Sequence, residues 1–160
     1  MSSREIDAQL RDACRQGDLA LVKQLLSQGA DVNSDAGDGW SALHHAAAAG
    51  CVEVVNTLIE ARANPNAQLT KSGWTPKSGW TPLHFAAASE GCLDVAIPLL
   101  NAGADVTLTY STGRTPFDMS NGHAIRQYYE SWLATKAISE AFASGPADDG
   151  DASSKRGLSL

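Results

Sequence analysis

GWTPLHFAAASEG, at residues 79–91, and GWSALHHAAAAG, at residues 39–50, are two versions of one pattern. In each, a Ser or Thr precedes a run of apolar and small residues. Ser and Thr are favoured helix N-caps, and Pro82 stands where the first turn of a helix needs no N–H donor. Each stretch therefore predicts the start of a short helix, and its alanines allow a neighbouring helix to pack closely.

A second pattern recurs three times along the chain. It reads GDLALVKQLLSQGADVN at residues 17–33, GCVEVVNTLIEARANPN at 50–66 and GCLDVAIPLLNAGADVT at 91–107. From Gly17 to Gly50 is 33 residues and from Gly50 to Gly91 is 41. Self-similarity at such a period is the signature of a repeat architecture. Within each copy, apolar residues spaced three and four apart predict a helix with one buried face.

The longer interval contains a duplicated hexapeptide, KSGWTP, at residues 71–76 and again at 77–82. Only the second copy continues into LHFAAA and so begins a helix. The first copy is predicted to be an insertion in a loop, because insertions in repeat arrays fall where the stacking of helices is undisturbed. Trp74 in this copy either lengthens a binding loop or belongs to a duplication without function.

Thr81-Pro82-Leu83-His84, together with GADVN at residues 29–33 and GADV at 103–106, resembles the signature of the ankyrin-repeat family. The resemblance covers about residues 4–135. It implies an all-α solenoid of about four helix-turn-helix-loop units with a long C-terminal capping helix. The expected domain is residues 1–143, with units at about 4–36, 37–70, 77–110 and 111–143, the inserted hexapeptide at 71–76 and a disordered tail at 144–160.

Two positions depart from the repeat pattern. Gly29 and Gly103 are expected to end their helices at a positive φ, but Arg62 occupies that place in the second unit and predicts a less favourable turn. Pro98 falls inside the second helix of the third unit, so this helix either begins later or bends. The polar first helix and the closing helix favour a finished array over a fragment of a larger scaffold.

Composition limits the classes of function. The chain has 160 residues and a net charge of −6, which disfavours nucleic acid as a partner. It has no apolar run of roughly 18 residues and no secretory signal, so we expect no membrane span and a location in the cytoplasm and also the nucleus. Three widely separated cysteines, Cys14, Cys51 and Cys92, disfavour a disulfide framework or a zinc cluster. We expect a monomer without metal or cofactor.

The resemblance implies that partner proteins contact the loop tips and the ends of the first helices. Trp40, Trp80 and Arg114 occupy the same place in successive units, and Trp and Arg dominate binding hot spots. The alternative is that these tryptophans only pack on the next loop. The candidate partner-binding residues are Asp38, Trp40, Ala49, Lys77, Trp80, Glu90, Ser111 and Arg114.

The resemblance further implies a non-catalytic protein–protein interaction module, acting as adaptor, scaffold or chaperone, and the acidic charge favours a basic partner. The alternatives are an enzyme-associated regulatory subunit, or an enzyme using His45 or a cysteine, for which no catalytic spacing is present. His44 and His84 occupy the histidine of the family signature and are expected to be structural. Asn33 resembles an asparagine that some hydroxylases modify in this family, and its other expected role is to hydrogen-bond the loop.

Overall fold

The computed structural model of the protein describes residues 2–35, 37, 39–70, 77–89, 92–119 and 121–145. Helices in these ranges come in pairs joined by loops, as the repeat pattern predicts. In chain order they are α1 (Ser3–Gln16), α2 (Leu19–Ser27), α3 (Ala42–Ala49), α4 (Val52–Glu60), α5 (Pro82–Ala88), α6 (Cys92–Asn101), a 3-10 turn (Pro116–Asp118) and α7 (Gly122–Ala143). None of these described helices has both the length and the apolar character that crossing a bilayer requires.

The core lies between two layers of helices. The first helices of the pairs, α1, α3 and α5, pack side by side, and the second helices, α2, α4 and α6, form the other layer. Complete burial of a leucine side chain contributes about 1.5–3 kcal/mol, so a row of buried leucines holds the pairs in register. Each of these helices supplies one such leucine: Leu10, Leu25, Leu43, Leu58, Leu83 and Leu99.

The ends of the helices form as the sequence predicts. Thr81 caps α5, because its side chain accepts a hydrogen bond from the N–H of His84, and Pro82 lies in the first turn. Gly29 and Gly103, just after α2 and α6, have φ angles of 90° and 91°. Glycine enters this region without steric cost because it lacks a Cβ. Local sequence signals therefore set both the beginnings and the ends of these helices.

Arg62 takes the place of these glycines after α4, with a φ angle of 69°. The backbone closes as in the other units, since the N–H of Ala63 donates to the carbonyl oxygen of Leu58 at 2.9 Å. A residue with a Cβ is less stable in this left-handed conformation by about 1–2 kcal/mol. Arg62 thus adopts the left-handed conformation of the glycines that it replaces, and the less favourable energy of this turn stays a prediction.

Pro98 lies inside α6, which begins at Cys92 and ends at Asn101. The sequence left two alternatives open, a later start of this helix or a bend in it. The start at Cys92 shows that a later start is wrong. Proline has no N–H, so the carbonyl of Asp94 lacks the donor that position 98 would otherwise supply. Packing of α6 against α4 and α5 maintains the helix across this gap.

The loop between α4 and α5 is closed at its base by backbone hydrogen bonds. The N–H of Leu69 donates to the carbonyl of Trp80, and the N–H of Gly79 donates to the carbonyl of Leu69, both at 2.9 Å. The inserted residues 71–76, including Trp74, lie outside the described residues, as do residues 146–160 of the tail. The helices on either side of the insertion, α4 and α5, are both formed.

The fourth unit has a 3-10 turn where the other units have a first helix. Asn121 joins this unit to the third, because its N–H donates to the carbonyl of Ala87 at 3.1 Å and its side-chain amide donates to the carbonyl of Ser89 at 2.9 Å. Ile125, in the first turn of α7, is fully buried. The start of α7 thus contributes to the core of the repeats.

By its contacts the chain divides into two compact parts, Met1–Tyr128 and Tyr129–Leu160, with the boundary inside α7. In the C-terminal part, the rings of Tyr129 and Trp132 stack with their centres 5.8 Å apart. The large apolar side chains that are exposed in this C-terminal part are Leu133, Ile138 and Phe142.

Candidate functional site

The histidine of each repeat start joins its own helix cap to the following unit. Nδ1 of His44 lies 2.9 Å from the hydroxyl of Ser41, and Nε2 lies 3.1 Å from the carbonyl oxygen of Trp80. Nε2 of His84 lies 3.3 Å from the carbonyl oxygen of Arg114 in the same way. A carbonyl oxygen only accepts, so Nε2 carries the proton and Nδ1 is the acceptor. Both histidines are fully buried and have the structural role that the sequence predicts.

Burial also sets the protonation of the second of these rings. It lowers the pKa of His84, and the hydrogen bond to the carbonyl of Arg114 opposes this effect more weakly. A neutral ring can accept at Nδ1, whereas an imidazolium donates at both nitrogens. The lowered pKa of His84 therefore favours the neutral ring, and the link between the units depends on that neutral ring.

Asp118 occupies the corresponding position in the fourth unit. Its carboxylate accepts from the N–H of Thr115 at 2.9 Å and from the hydroxyl of Thr115 at 2.8 Å. These hydrogen bonds, with smaller contributions from Arg126 and Arg114, lower the pKa of Asp118. Asp118 was not among the candidate residues, although TPFD at residues 115–118 aligns with TPLH at 81–84.

The loop tips lie against each other through glycines. A Cβ at Gly39 would lie 2.8 Å from Cα of Leu69 and closer still to the backbone N of Thr70. A Cβ at Gly79 would lie 3.0 Å from Cα of Tyr110. Real Cβ atoms are essentially never found below 3.0 Å, so a side chain at Gly39 would force the backbone to shift. At Gly79 the contact is tighter than most real Cβ contacts, and both glycines have a positive φ. Trp40 and Trp80 directly follow these glycines. Their side chains therefore project from a closely packed backbone.

An aromatic row, formed by Trp40, Phe85, Trp80 and Tyr110, runs from the second unit through the third, to the residue before the fourth unit. The ring centre of Phe85 lies 4.9 Å from that of Trp40 and 4.8 Å from that of Trp80. Trp80 continues the row to Tyr110 at 5.7 Å, and Nζ of Lys77 lies 5.2 Å from the rings of Trp80 and Phe85. The two tryptophans are half-buried, so they pack on neighbouring units while part of each ring remains accessible.

Phe85 and Tyr110 were not among the candidate residues. Phe85 follows the TPLH motif directly, in the position that His45 holds in the second unit. That alignment was the only signal available, since the contact with both tryptophans depends on how the units stack. The aromatic row is thus a property of the fold rather than of one sequence motif.

Most of the remaining candidates are exposed. The N–H of Ser111 donates to the carbonyl of Ser78 at 2.9 Å, and the N–H of Tyr110 donates to the carbonyl of Arg114 at 3.2 Å, which brings the loops of the third and fourth units together. Asp38 and Glu90 lie outside the described residues. The exposed candidates are Ala49, Lys77, Ser111 and Arg114.

Asparagines make a second set of links between the units. The amide of Asn33 donates to the carbonyl of Arg62 at 3.2 Å and accepts from the N–H of Asn64 at 2.8 Å. Asn66 makes the same pair of bonds to the third unit, donating to Gly103 at 3.1 Å and accepting from Asp105 at 2.7 Å. Asn33 therefore has the loop-bonding role that was one of its two expected functions.

Two of the groups considered for catalysis, His45 and Cys14, are held in packed positions. The ring of His45 stacks on Trp40 with centres 4.9 Å apart. Burial, with a contribution from the nearby Cys51, raises the pKa of Cys14 to about 12, which keeps its thiol protonated and unreactive. In the part of the chain that the structure describes, no three His, Cys, Asp or Glu residues are grouped as metal ligands.

Comparison with known proteins agrees with this architecture. A family model described as "Ankyrin repeats (3 copies)" matches residues 10–110. The chain is 33% identical over 114 residues to human protein phosphatase 1 regulatory subunit 27, and the match covers 71% of this chain and 69% of that protein.

Two longer proteins match over smaller shares of their length. Rat ankyrin repeat and SAM domain-containing protein 6 is 35% identical over 108 residues, which are 67% of this chain and 11% of that protein. Mouse 2-5A-dependent ribonuclease is 42% identical over 73 residues, which are 45% of this chain and 10% of that protein. The chain thus spans about a tenth of the length of these two relatives. Ankyrin repeats mediate protein–protein interaction. The helix pairs, the histidine links and the match over residues 10–110 together show that the chain belongs to the ankyrin-repeat family.

Proposed function

We propose that the protein is a non-catalytic, monomeric binding module of the cytoplasm and nucleus that serves as an adaptor, scaffold or chaperone. It recognises a partner protein through its loop tips and the exposed ends of its first helices. The observation that carries this proposal is the fixed backbone behind the loop edge. The contact residues are Asp38, Trp40, Ala49, Lys77, Trp80, Glu90, Ser111 and Arg114.

Fixing the backbone in advance favours binding. The carbonyls of Trp80 and Arg114 are each held by a buried histidine of the preceding unit. Ordering a flexible side chain on binding costs about 0.5–1.5 kcal/mol, and ordering a loop adds to this. A loop edge that is already hydrogen-bonded avoids the second cost. The half-buried tryptophans and the exposed Arg114 then supply side-chain types that dominate hot spots.

The partner is a basic protein. The chain has 18 acidic and 12 basic residues, so its overall field attracts positive charge. Such attraction raises the association rate and is screened by salt. The association rate with the partner should therefore fall as the salt concentration rises, and a rate that does not depend on salt would contradict a basic partner.

The loop edge is tested by affinity capture from cells, followed by mass spectrometry. The variant Lys77→Ala/Ser111→Ala/Arg114→Ala removes exposed side chains and keeps the four rings of the aromatic row, although the contact of Lys77 with Trp80 and Phe85 is lost. A matched control, Lys23→Ala/Gln24→Ala/Ser27→Ala, removes three exposed side chains of α2. Loss of a partner with the first variant alone supports the proposal. Retention of every partner by both folded variants would refute recognition at the loop edge.

A second candidate is an enzyme-associated regulatory subunit. It is favoured by the 33% identity to human protein phosphatase 1 regulatory subunit 27, of which the chain covers 69%. Direct binding to purified protein phosphatase 1 catalytic subunit, measured by calorimetry, tests this candidate. The absence of binding heat at concentrations up to about 100 μM would exclude this regulatory role. A Kd of about 100 μM corresponds to a binding free energy of about −5.5 kcal/mol.

A further inference from the structure

A groove of about 690 Å³ runs between α4 and α6, the second helices of the second and third units. Its middle is apolar, with half-buried side chains of Ile59, Ile97 and Pro98. The two helices have 9 and 10 residues, so each is about 14 Å long at a rise of 1.5 Å per residue. The groove is thus as long as two to three turns of a bound helix.

Both ends of the groove are acidic. Glu53 and Asp94 lie in the first turns of α4 and α6, and Glu60 is the last residue of α4. Neither a lysine nor an arginine is present among the described residues that line the groove. These three carboxylates also have no ion-pair partner within the described ranges. The negative charge in the groove is therefore available to an external cation.

The apolar middle is particular to the third unit. The repeat period aligns Ile97 with Asn56 of α4 and with Lys23 of α2. Lys23 and Asn56 are exposed, and α2 and α4 form with these polar residues at this position. Pro98, the next residue along α6, adds a second apolar side chain to the lining. The groove therefore combines an apolar floor with three carboxylates.

We propose that this groove binds a basic amphipathic helical segment of a partner protein. Glu53 and Glu60 are seven residues apart on α4, which is about 10 Å along the helix axis. An occupant helix with two Lys or Arg residues seven positions apart matches this distance. Apolar residues three and four positions after the first basic residue would then face Ile59 and Ile97. This proposal uses none of the loop-edge residues and does not depend on them.

The test uses a fluorescein-labelled synthetic peptide of about 14 residues, which spans about 21 Å as a helix. It carries two lysines seven positions apart, leucines three and four positions after the first lysine, and alanine and glutamine elsewhere. Its affinity for the full chain is measured by fluorescence anisotropy. A scrambled peptide of the same composition removes the pattern but not the charge, and should bind at least about tenfold more weakly, a difference of about 1.4 kcal/mol.

Two variants change the groove, and two control variants outside the groove make the same changes in net charge. Ile97→Lys introduces the residue that α2 carries at the aligned position, and Glu53→Lys reverses an exposed charge. The controls are Gln24→Lys on α2 and Asp12→Lys on α1, both at exposed positions. The groove variants should weaken binding at least about tenfold, while the controls stay within about twofold of the wild type. Circular dichroism and a thermal melt show that each variant is folded.

Several outcomes would overturn the proposal. They are no binding of the peptide to the wild-type chain, equal binding of the scrambled peptide, or equal loss in the controls and the groove variants. Self-association of the wild type that Ile97→Lys abolishes, seen by analytical ultracentrifugation, would instead assign the groove to a second copy of the chain. The variant Lys77→Ala/Arg114→Ala should bind the peptide like the wild type, so failure of this proposal and failure of the loop-edge proposal are distinguishable.

Discussion

Replacing Arg62 with glycine should stabilise the protein. Arg62 has a φ angle of 69°, in the position where Gly29 and Gly103 end the corresponding helices of other units. Removing its Cβ relieves about 1–2 kcal/mol of left-handed strain, while the greater freedom of glycine in the unfolded chain offsets about 0.4–1 kcal/mol. The expected net gain in the free energy of unfolding is about 0.5–1 kcal/mol.

The contacts of Arg62 support a gain of this sign. Its side chain is exposed, and the hydrogen bond that it receives from the amide of Asn33, at 3.2 Å, ends on the backbone carbonyl. Glycine keeps that carbonyl. For a chain of this size 1 kcal/mol corresponds to about 2–4 °C, so the melting temperature should rise by about 1–4 °C.

Urea and thermal denaturation followed by circular dichroism measure the effect. Arg62→Ala removes the charge but keeps the Cβ, so it should leave the free energy of unfolding nearly unchanged. Gly29→Arg makes the reverse exchange in the first unit, where φ is 90°, and should lower the stability by a similar amount. If Arg62→Gly is not more stable than the wild type, or if Arg62→Ala gains as much, backbone strain is not the reason.

Three further predictions concern the links between the units. Gly39→Ala should lower the free energy of unfolding by about 1–3 kcal/mol more than Gly29→Ala, because only the first alanine meets a neighbouring backbone; urea denaturation compares them, and equal losses would contradict the close approach. The free energy of unfolding should fall as the pH drops below about 6.5. The histidine in the unfolded chain then binds a proton, whereas buried His84, with its lowered pKa, does not. If the variant His84→Gln shows the same dependence of stability on pH as the wild type, this assignment is refuted. Asn66→Ala should cost about 1–2 kcal/mol in a thermal melt, because two hydrogen bonds to the third unit are lost.

The sequence predicts most of the fold because its strongest signals are local. The cap at Thr81, the positive φ at Gly29 and the buried face of each second helix follow from residues within one turn of each other. Pro98 shows where local reasoning is insufficient. A proline disfavours the middle of a helix, yet α6 passes through it because packing against α4 and α5 outweighs this preference.

The candidate site is less predictable, because its side chains meet across units. The sequence aligned Trp40 with Trp80 but gave no distance between them, and the structure adds Phe85 at 4.9 and 4.8 Å from the two rings. Packing was the alternative to binding for these tryptophans. Both tryptophans are half-buried, which allows both roles, because each contacts other aromatic rings and is still partly accessible. Variants of Lys77 and Arg114 therefore test binding more cleanly than variants of the tryptophans.

The periodic links also explain how one array can carry two different surfaces. Buried histidines and loop asparagines connect successive units on the loop side, so the residues that make these links are constrained by the stacking. Lys23, Asn56 and Ile97, on the second helices, make none of these links. A change at that position alters the polarity of the outer layer without disturbing the connection between units. The isoleucine at this position, together with Ile59 and Pro98, therefore gives the groove between α4 and α6 its apolar middle without using the residues that link the loop edge.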